Sequence, residues 1–475
     1  MKHPNQSRRS FLGSMLALAG TASTPFALNL AAMATASAEG ATDYKAIVCL
    51  FMSGGNDQAN TLLATDPDSW NSYTSVRNTG TPGSIALPLS SLLSIAPATV
   101  QSGRSFALHP QLKSVKNLFD NGRAAIVANV GTLIQPTTLT QYKSGAVPVP
   151  PKLFSHNDQQ SVWQSSKPEG ATFGWGGRMG DLLASSNSNT SFTSISLAGN
   201  AVFLTGRDIR QYQVGGNGPE AIQPLTGSIF GVPTAANPLR AIITAERTDP
   251  MEKEYVSVIN RAIDLQAAMG GAMVPAGAGG VPNPSYYVNP NNGVAAANPL
   301  ALQLQTVARI IAGRSALGAK RQVFYVNIGS FDTHDNQRLV QDDLLAQLAH
   351  AIDYFDTVLS TLQGADMRNQ VTTFTASDFG RTFTSNGDGT DHGWGSHHFV
   401  FGGAVKGGDI YGAMPVTGVG HALDVGSGSL LPSISVDQYG ATLGTWFGLS
   451  ATQIADVFPN IVNFNTSNLG FMNPA

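Results

Sequence analysis

Five short apolar segments constrain the fold of this chain more than any other feature. Residues 45–52 read KAIVCLFM and break at a Ser-Gly-Gly triplet. Similar runs occupy residues 124–130, 322–328, 371–375 and 399–401. An uninterrupted apolar run of this length is typical of a strand buried on both faces. Helical stretches are predicted between the runs, at 110–120, about 238–269, 299–315, about 339–362 and about 436–447. Buried strands alternating with helices predict an α/β fold, with a mostly parallel sheet covered on both sides.

Three long segments lack any regular periodicity. Residues 270–298 are rich in Gly, Pro and Asn and are predicted to form a surface loop that could cover a site. Residues 67–110 and 206–238 are similar and are expected to be further loop insertions. Large α/β enzymes often hold this much chain around one sheet, so we expect residues 39–475 to form a single domain.

The first 38 residues have the pattern of an export signal. The motif SRRSFL at 7–12 precedes an apolar stretch, and ASA at 36–38 provides an A-x-A cleavage site. These features predict a twin-arginine signal peptide at 1–38. Two glycines and a proline interrupt the apolar stretch, which argues against a membrane anchor. We therefore expect the twin-arginine translocase and a signal peptidase as partners during export. The mature protein is expected to be periplasmic or secreted, without a membrane span.

Charge and cysteine content exclude two classes of function. The chain has 27 basic and 30 acidic side chains, a net charge of −3, and no basic run after the signal. Nucleic-acid binding depends on many Lys and Arg contacts with phosphate, so no nucleic acid is expected as a partner. Cys49 is the only cysteine. An intramolecular disulfide is therefore impossible, and a structural zinc cluster built on thiolates is not expected.

Ionisable residues follow several predicted strands at their carboxyl ends, where open parallel sheets bind ligands. They are Asp57 after the first strand, Asp332 and His334 after 322–328, Asp378 and Arg381 after 371–375, and Asp391, His392, His397 and His398 just before or at the start of the last strand. Carboxylates with imidazoles select zinc, manganese or iron, or magnesium or calcium where nitrogens are few. Two such cations can assist phosphoryl or sulfuryl transfer. The pattern predicts a site for a divalent metal, with one or two ions.

Each of these residues also has a structural alternative. Asp57 could close a turn with its side chain, and Asp332 with His334 could cap the helix near residue 339. His397 and His398 open a strand, where successive side chains point to opposite faces, so at most one is expected to bind an ion.

Six ordered motifs resemble a known family. They are GGND at 54–57, HPQL at 109–112, SHNDQQ at 155–160, FDTHDNQ at 331–337, SDFGRT at 377–382 and TDHGWGSHHFVFGGAVKGGDIYG at 390–412. Together they resemble the exported bacterial family called domain of unknown function 1501, which is placed in the alkaline phosphatase and sulfatase-like superfamily. The resemblance covers nearly the whole mature chain. It implies a three-layer α/β sandwich with a two-metal hydrolase site at the carboxyl edge of the sheet.

The resemblance also implies particular ligands. The implied metal ligands are Asp57, Asp332, His334, Asp378 and His392. The chain has Phe379 where the superfamily normally has histidine. Three nearby residues could supply the missing ligand, namely Asp391, His397 and His398.

The nucleophile is open on sequence grounds. Superfamily members attack with a Ser, Thr or modified Cys, but Cys49 lies inside the first strand. Ser155 opens a predicted helix, where its hydroxyl could face a phosphoryl group beside the helix amides. Alternatively, Ser155 with Asp158 resembles a capping box in which Asp replaces Glu. His156 could face the site, and Arg381 could bind an anionic substrate or pair with a carboxylate.

Three functions are consistent with these residues. The first is an exported metal-dependent hydrolase of phosphate or sulfate esters. The second is a non-catalytic cell-envelope protein that keeps the fold for binding or structure. The third is a metal-assisted transferase that acts on a surface glycan or a lipid headgroup.

Overall fold

The strands follow the apolar runs of the sequence in the computed structural model, which describes residues 43–216, 218–228, 231–233 and 238–474. In chain order they are β1 Lys45–Met52, β2 Leu62–Ala64, β3 Leu93–Ile95, β4 Phe106–Leu108, β5 Ala124–Gly131, β6 Ser194–Ser196, β7 Tyr212–Gln213, β8 Tyr287–Val288, β9 Ala295–Ala296, β10 Arg321–Ile328, β11 Val371–Ser377, β12 Arg381–Ser385, β13 Thr390–His392, β14 Ser396–Phe401, β15 Ile410–Tyr411 and β16 Ile434–Ser435. All five predicted strands are present.

The helices occupy most of the predicted stretches. They are α1 Gln58–Thr61, α2 Pro67–Arg77, α3 Lys113–Asp120, α4 Leu139–Ser144, α5 His156–Ser165, α6 Trp175–Leu183, α7 Gln223–Thr226, α8 Leu239–Ile243, α9 Pro250–Ala272, α10 Pro299–Ala312, α11 Gln337–Leu359, α12 Val436–Phe447 and α13 Ala451–Val457. Among the described residues, no helix is long and apolar enough to cross a lipid bilayer. The predicted signal peptide lies outside the described residues.

A nine-stranded sheet of order β15-β5-β14-β11-β1-β10-β6-β7, with β16 beside β5, forms the centre of the fold. Strand β14 runs antiparallel to its neighbours β11 and β5. The other pairings in this sheet are parallel among the described residues. The prediction of a mostly parallel sheet is therefore confirmed.

Alternation along β1 explains the three layers. Val48 and Leu50 belong to one apolar core, which is completed by α3, α10 and α11. Cys49 and Phe51 belong to the opposite core, which is completed by α5, α6, α12 and α13. A strand whose two faces are both covered is apolar at nearly every position, as residues 46–52 of β1 are. The fold is thus a three-layer α/β sandwich, and Cys49 is a buried free thiol as predicted.

Two predicted segments differ in detail from the structure. The helix expected at 238–269 is broken into α8 and α9, because Asp249 accepts hydrogen bonds from the amides of Met251 and Glu252 and starts a new helix at Pro250. The segment 67–110 is more regular than a loop insertion. It contains α2, whose start is capped by Asp66, and strands β3 and β4. Strand β4 lies between β2 and β3 in a small antiparallel sheet.

The other two insertions are mostly irregular. The segment 206–238 contains β7 and the short α7 among its described residues. The segment 270–298 begins within the last turn of α9 and carries the small hairpin β8–β9. This hairpin lies beside α11, since the hydroxyl of Tyr287 donates to Asp343 at 3.0 Å.

Candidate metal centre

Five segments of the chain meet at one edge of the sheet. Strands β1, β10 and β11 are parallel and end at this edge, so the loops that follow them lie together. The start of α5 and the small strand β13 complete the site, and they contribute His156 and His392.

Three ligand atoms converge here. One atom each from His156, Asp332 and His392 lie within 4.8 Å of one another. The Nε2 atom of His392 is 3.2 Å from one oxygen of Asp332, and the Nε2 atom of His156 is 3.3 Å from the other. The three side chains are 23% exposed (His392), 34% exposed (His156) and 42% exposed (Asp332). The cluster is therefore supported by the protein on one side and accessible from the other.

The second ring nitrogen of each imidazole has a fixed acceptor. The Nδ1 atom of His156 is 2.8 Å from Asp378, and that of His392 is 2.7 Å from the backbone carbonyl of Phe154. A carbonyl oxygen can only accept, so Nδ1 of His392 must carry a proton. In the neutral ring, Nε2 then presents a lone pair to Asp332. The Nε2 atom of His156 is buried and has no hydrogen-bond partner among the described residues.

The electrostatics of the two imidazoles differ. The hydrogen bond with Asp378 raises the pKa of His156 despite partial burial, and the charge of Asp332 acts in the same direction. Burial lowers the pKa of His392, and the neighbouring His156 lowers it further. Partial burial alone would raise the pKa of Asp332, but Arg381 and the imidazoles outweigh it and lower this pKa. The site therefore holds a carboxylate that attracts positive charge.

His334 and Asp391 lie on the outer side of the cluster. The Nε2 atom of His334 is 3.1 Å from Asp332 and 2.9 Å from Nε2 of His392. Its Nδ1 atom is 3.3 Å from Asp391, whose side chain is 62% exposed. Of the predicted ligands, His334 is thus brought to the cluster, and Asp391 contacts it only through His334.

Asp378 is placed behind the cluster. Its carboxylate is almost fully buried, with one oxygen contacting His156 and the other accepting from the amide of Gly54 at 3.2 Å. It orients an imidazole, which is the usual role of a carboxylate behind a metal-bound histidine.

Asp57 is placed apart from these residues. Its carboxylate forms a fully buried, two-pronged ion pair with Arg77, with N–O distances of 2.5 and 3.0 Å. Gln337 donates to the same carboxylate at 2.6 Å. The side chain also accepts from the amide of Ala59 and so caps α1, as the turn alternative suggested. Since protein donors occupy both oxygens, the structure does not bring Asp57 into the cluster.

His397 and His398 are both in the interior. The ring of His398 packs 5.5 Å from that of Trp163, and its Nδ1 atom is 3.3 Å from the hydroxyl of Thr375. The Nδ1 atom of His397 accepts from the backbone amide of Asn129 at 3.0 Å. Alternation does send the two side chains to opposite faces of β14, but both faces are covered. The structure therefore places neither histidine in the cluster.

Arg381 is buried and forms hydrogen bonds with other residues of the protein. Its buried guanidinium donates to Asp332 at 2.9 Å, to the carbonyl of Gly54 at 3.0 Å, and to the hydroxyl and carbonyl of Thr390. With so many internal acceptors, Arg381 orients Asp332 and is not exposed to a substrate. Phe379 packs against both imidazoles, with its ring centre 4.8 Å from that of His156 and 4.6 Å from that of His392.

Ser155 is the residue before α5, but it is not an ordinary cap. Its hydroxyl donates to the buried carboxylate of Asp158 at 3.0 Å and accepts no helix amide. The exposed Lys152 lies 3.6 Å from the same carboxylate. A hydroxyl beside a buried carboxylate, one residue from His156, is the candidate nucleophile that the structure offers.

Sequence reasoning missed two contributors. The carbonyl of Phe154 points at His392 because Phe154 has a left-handed backbone with φ of 72°, and the sequence carries no signal for this conformation. Arg77 ends α2 and reaches back to Asp57. The pair Asp66-Pro67 is a helix-start signal that could have revealed α2 and with it the position of Arg77.

Comparison with solved structures found distant similarity. A sulfatase from Pseudoalteromonas sp. is 9% identical, with 94% of this chain and 75% of the sulfatase covered and a TM-score of 0.37. The alkaline phosphatase from the Antarctic bacterium TAB5 is 10% identical, with 76% and 92% covered and a TM-score of 0.24. A search of curated proteins gave no match.

A family profile matches most of the chain in sequence. Residues 44–457 match the profile described as "Protein of unknown function (DUF1501)". The match begins at the residue before β1 and ends at the last residue of α13, so it includes the whole central sheet and every residue of the cluster. The chain therefore belongs to the DUF1501 family.

Proposed function

We propose that this protein is a metal-dependent hydrolase of phosphate or sulfate esters. One divalent cation would be bound by His156, Asp332 and His392, with His334 as a further nitrogen donor. The substrate would be an anionic ester, and a surface glycan that carries such an ester is included in this class.

The orientation of the two imidazoles carries the proposal. The Nε2 atom of His392 lies 3.2 Å from one oxygen of Asp332 and that of His156 lies 3.3 Å from the other, while the opposite nitrogen of each ring is held by a fixed acceptor. In the neutral rings these Nε2 atoms are unprotonated, and together with the carboxylate they form a set of ligands for one cation. Metal-binding histidines in proteins typically have this arrangement, with the second nitrogen donating to a carboxylate or a carbonyl.

The donor set favours some metals over others. Imidazole nitrogens with one carboxylate suit zinc or manganese better than calcium or magnesium, which prefer sites made of oxygen. A second cation is not supported near Asp57, because the guanidinium of Arg77 already neutralises that carboxylate inside the protein. We therefore propose a one-ion site.

The residues around the ion have separate roles in this proposal. A bound cation would act as a Lewis acid on an oxygen of the ester. Arg381 holds Asp332 in place, and Asp378 and the carbonyl of Phe154 hold the imidazoles. The hydroxyl of Ser155 can pass its proton to Asp158 while its oxygen bonds to the phosphorus or sulfur atom. The bond from that atom to the alcohol breaks, and the alcohol leaves with the proton from Asp158. Water would then hydrolyse the serine ester and release phosphate or sulfate.

One observation favours the alternative of a non-catalytic binding protein. Among the described residues, the arginine nearest the cluster, Arg381, is buried and bonded within the protein. Only the metal and Lys152 would therefore provide positive charge to neutralise a substrate anion. A protein that binds the ion for structural reasons would have no need of an exposed cation.

Metal binding is the first test. Purified metal-free protein should bind zinc or manganese with one ion per chain in calorimetric titration, and its Tm should rise on addition of the metal. His156→Ala should weaken binding at least tenfold. His350→Ala is the matched control, because His350 is half-buried and contacts Ser285 and Asn298 away from the cluster. Absence of binding by the wild type would overturn the proposal.

Activity is the second test. The metal-loaded protein should hydrolyse p-nitrophenyl phosphate or p-nitrophenyl sulfate, and Ser155→Ala should abolish turnover while leaving metal content unchanged. Binding of the metal without hydrolysis of any phosphate or sulfate ester would support the binding protein instead. Retention of turnover by Ser155→Ala would mean that water, and not Ser155, attacks the ester.

A further inference from the structure

A second polar site lies at the same edge of the sheet as the metal centre. It is a groove of about 590 Å³ between the end of β10, the turn of the β8–β9 hairpin and one face of α11. Binding pockets for small molecules are typically 300–1,000 Å³, so the groove can hold a ligand of one or two rings. Gly329 and Ser330 form part of its wall, and Asp332 of the metal centre is two residues further along the chain.

The shape of the groove is fixed by side-chain contacts. Tyr287 donates to one oxygen of Asp343 at 3.0 Å, and Gln347 donates to the other at 2.8 Å. Asn291 donates to the carbonyl of Leu339 at 2.7 Å and fastens the hairpin turn to the first turn of α11. The polar groups of the lining are therefore held in place before any ligand binds, which lowers the entropy cost of binding.

The chemistry of the lining indicates an uncharged polar ligand. The lining combines apolar side chains, such as those of Pro299 and Leu344, with polar ones. The polar side chains are amides, a hydroxyl and a carboxylate, contributed by Asn289, Asn291, Asn327, Ser330, Asp343 and Gln347. No Lys, Arg or His is among the described residues that line it. An anion therefore has no counter-charge here. Hydroxyl groups both donate and accept, and they match a lining that offers amide donors, amide acceptors and a carboxylate.

We propose that this groove binds the alcohol part of the substrate and that this part is a sugar. The inference rests on the proposed function for the position of the ester, since the metal centre would bind the anionic group while the groove binds the neighbouring hydroxyls. Recognition of the sugar needs no metal.

Calorimetric titration with uncharged disaccharides tests the proposal. Maltose, cellobiose, mannobiose and N,N′-diacetylchitobiose are the probes, and at least one should bind the wild-type protein. Asp343→Asn and Gln347→Ala should each weaken that binding at least tenfold. Glu220→Gln is the matched control, because Glu220 lines a groove of about 540 Å³ beside α9, and it should bind as the wild type does.

The same titration with His156→Ala separates the two proposals. Sugar binding should persist in this variant although its metal binding is weakened. If the wild type binds a sugar but no metal, the groove proposal is supported and the metal proposal is overturned. Two results would overturn the groove proposal whatever the metal result. One is failure of all four sugars to bind the wild type, and the other is binding by both groove variants that is as tight as binding by the wild type.

Discussion

Asp332 is contacted by four nitrogen-bearing side chains, and only one of them has a permanent charge. Arg381 is that residue, at 2.9 Å, whereas the imidazoles of His156, His334 and His392 lie at 3.1–3.3 Å. The guanidinium shares one oxygen of the carboxylate with His334 and His392, whereas His156 alone contacts the other oxygen. The residues behind the imidazoles thus decide how strongly the site binds.

Asp378→Asn is the change that tests this arrangement. An amide keeps the shape of the carboxylate but removes the negative charge beside Nδ1 of His156, so His156 becomes a weaker donor. We expect zinc affinity to fall about 10- to 100-fold. Calorimetric titration measures the loss. Asp437→Asn is the control, because Asp437 is also a buried carboxylate but lies at the start of α12. An affinity unchanged in Asp378→Asn would contradict the assigned role.

At the scale of elements, two helices have a buried acidic residue in their first turn. Helices α5 and α12 both start at the edge of the sheet with an acidic residue in the first turn. In α12 that residue, Asp437, accepts from the backbone amide of Asn460 at 3.0 Å. Burial raises the pKa of Asp437 to about 6, although the contacts with Asn460 partly oppose this shift.

This shift predicts a pH-dependent stability. The pKa of Asp437 in the folded protein lies above its unfolded value of about 4, so its favourable contribution is complete below pH 4 and is lost as the pH rises through 6. Asp437→Asn removes this loss. We expect the variant to gain about 2 kcal/mol relative to wild type between pH 4.5 and pH 8, measured by urea unfolding. The exposed Asp120→Asn should show no such gain, and an equal response of both variants would contradict the prediction.

The sequence predicted elements better than it predicted contacts. Strand β1 was recognisable because burial on both faces leaves an almost uninterrupted apolar run, and β11 because its Val, Thr and Phe residues favour strands. The break at Pro250 and the helix α2 depend on caps at Asp249 and Asp66, which are local signals that a closer reading of the helix starts would have found. Element type thus follows from composition and caps.

The candidate site was predictable only in part. Asp332 and His392 were expected at the sheet edge, and the structure brings them together. The separation of Asp57 from the cluster depends on Arg77, twenty residues away in sequence, and the orientation of His392 depends on the backbone of Phe154. Such contacts arise from tertiary packing and loop conformation, which neither periodicity nor residue type reveals.

At the scale of the whole molecule, the central sheet brings both candidate sites to one edge. The metal centre and the polar groove both lie where β10 ends. Independently of the structure, the twin-arginine pattern at 1–38 predicts that the substrate of these sites lies outside the cytoplasm.

Export gives a prediction for the complete chain. Replacing Arg8 and Arg9 together with lysine keeps the charge but removes the pair that the translocase recognises. We expect uncleaved precursor to accumulate inside the cell, detected by fractionation and immunoblotting. The single replacement Lys2→Arg is the control. Normal export of the double variant would show that another route is used.

The ion pair between Arg77 and Asp57 has a consequence for folding at the end of the first strand. A guanidinium is part of the polypeptide, so no chelator can remove it and no scarcity of metal can deplete it. The carboxylate at the end of the first strand is neutralised as soon as the chain folds. This part of the sheet edge therefore needs no cation in order to fold.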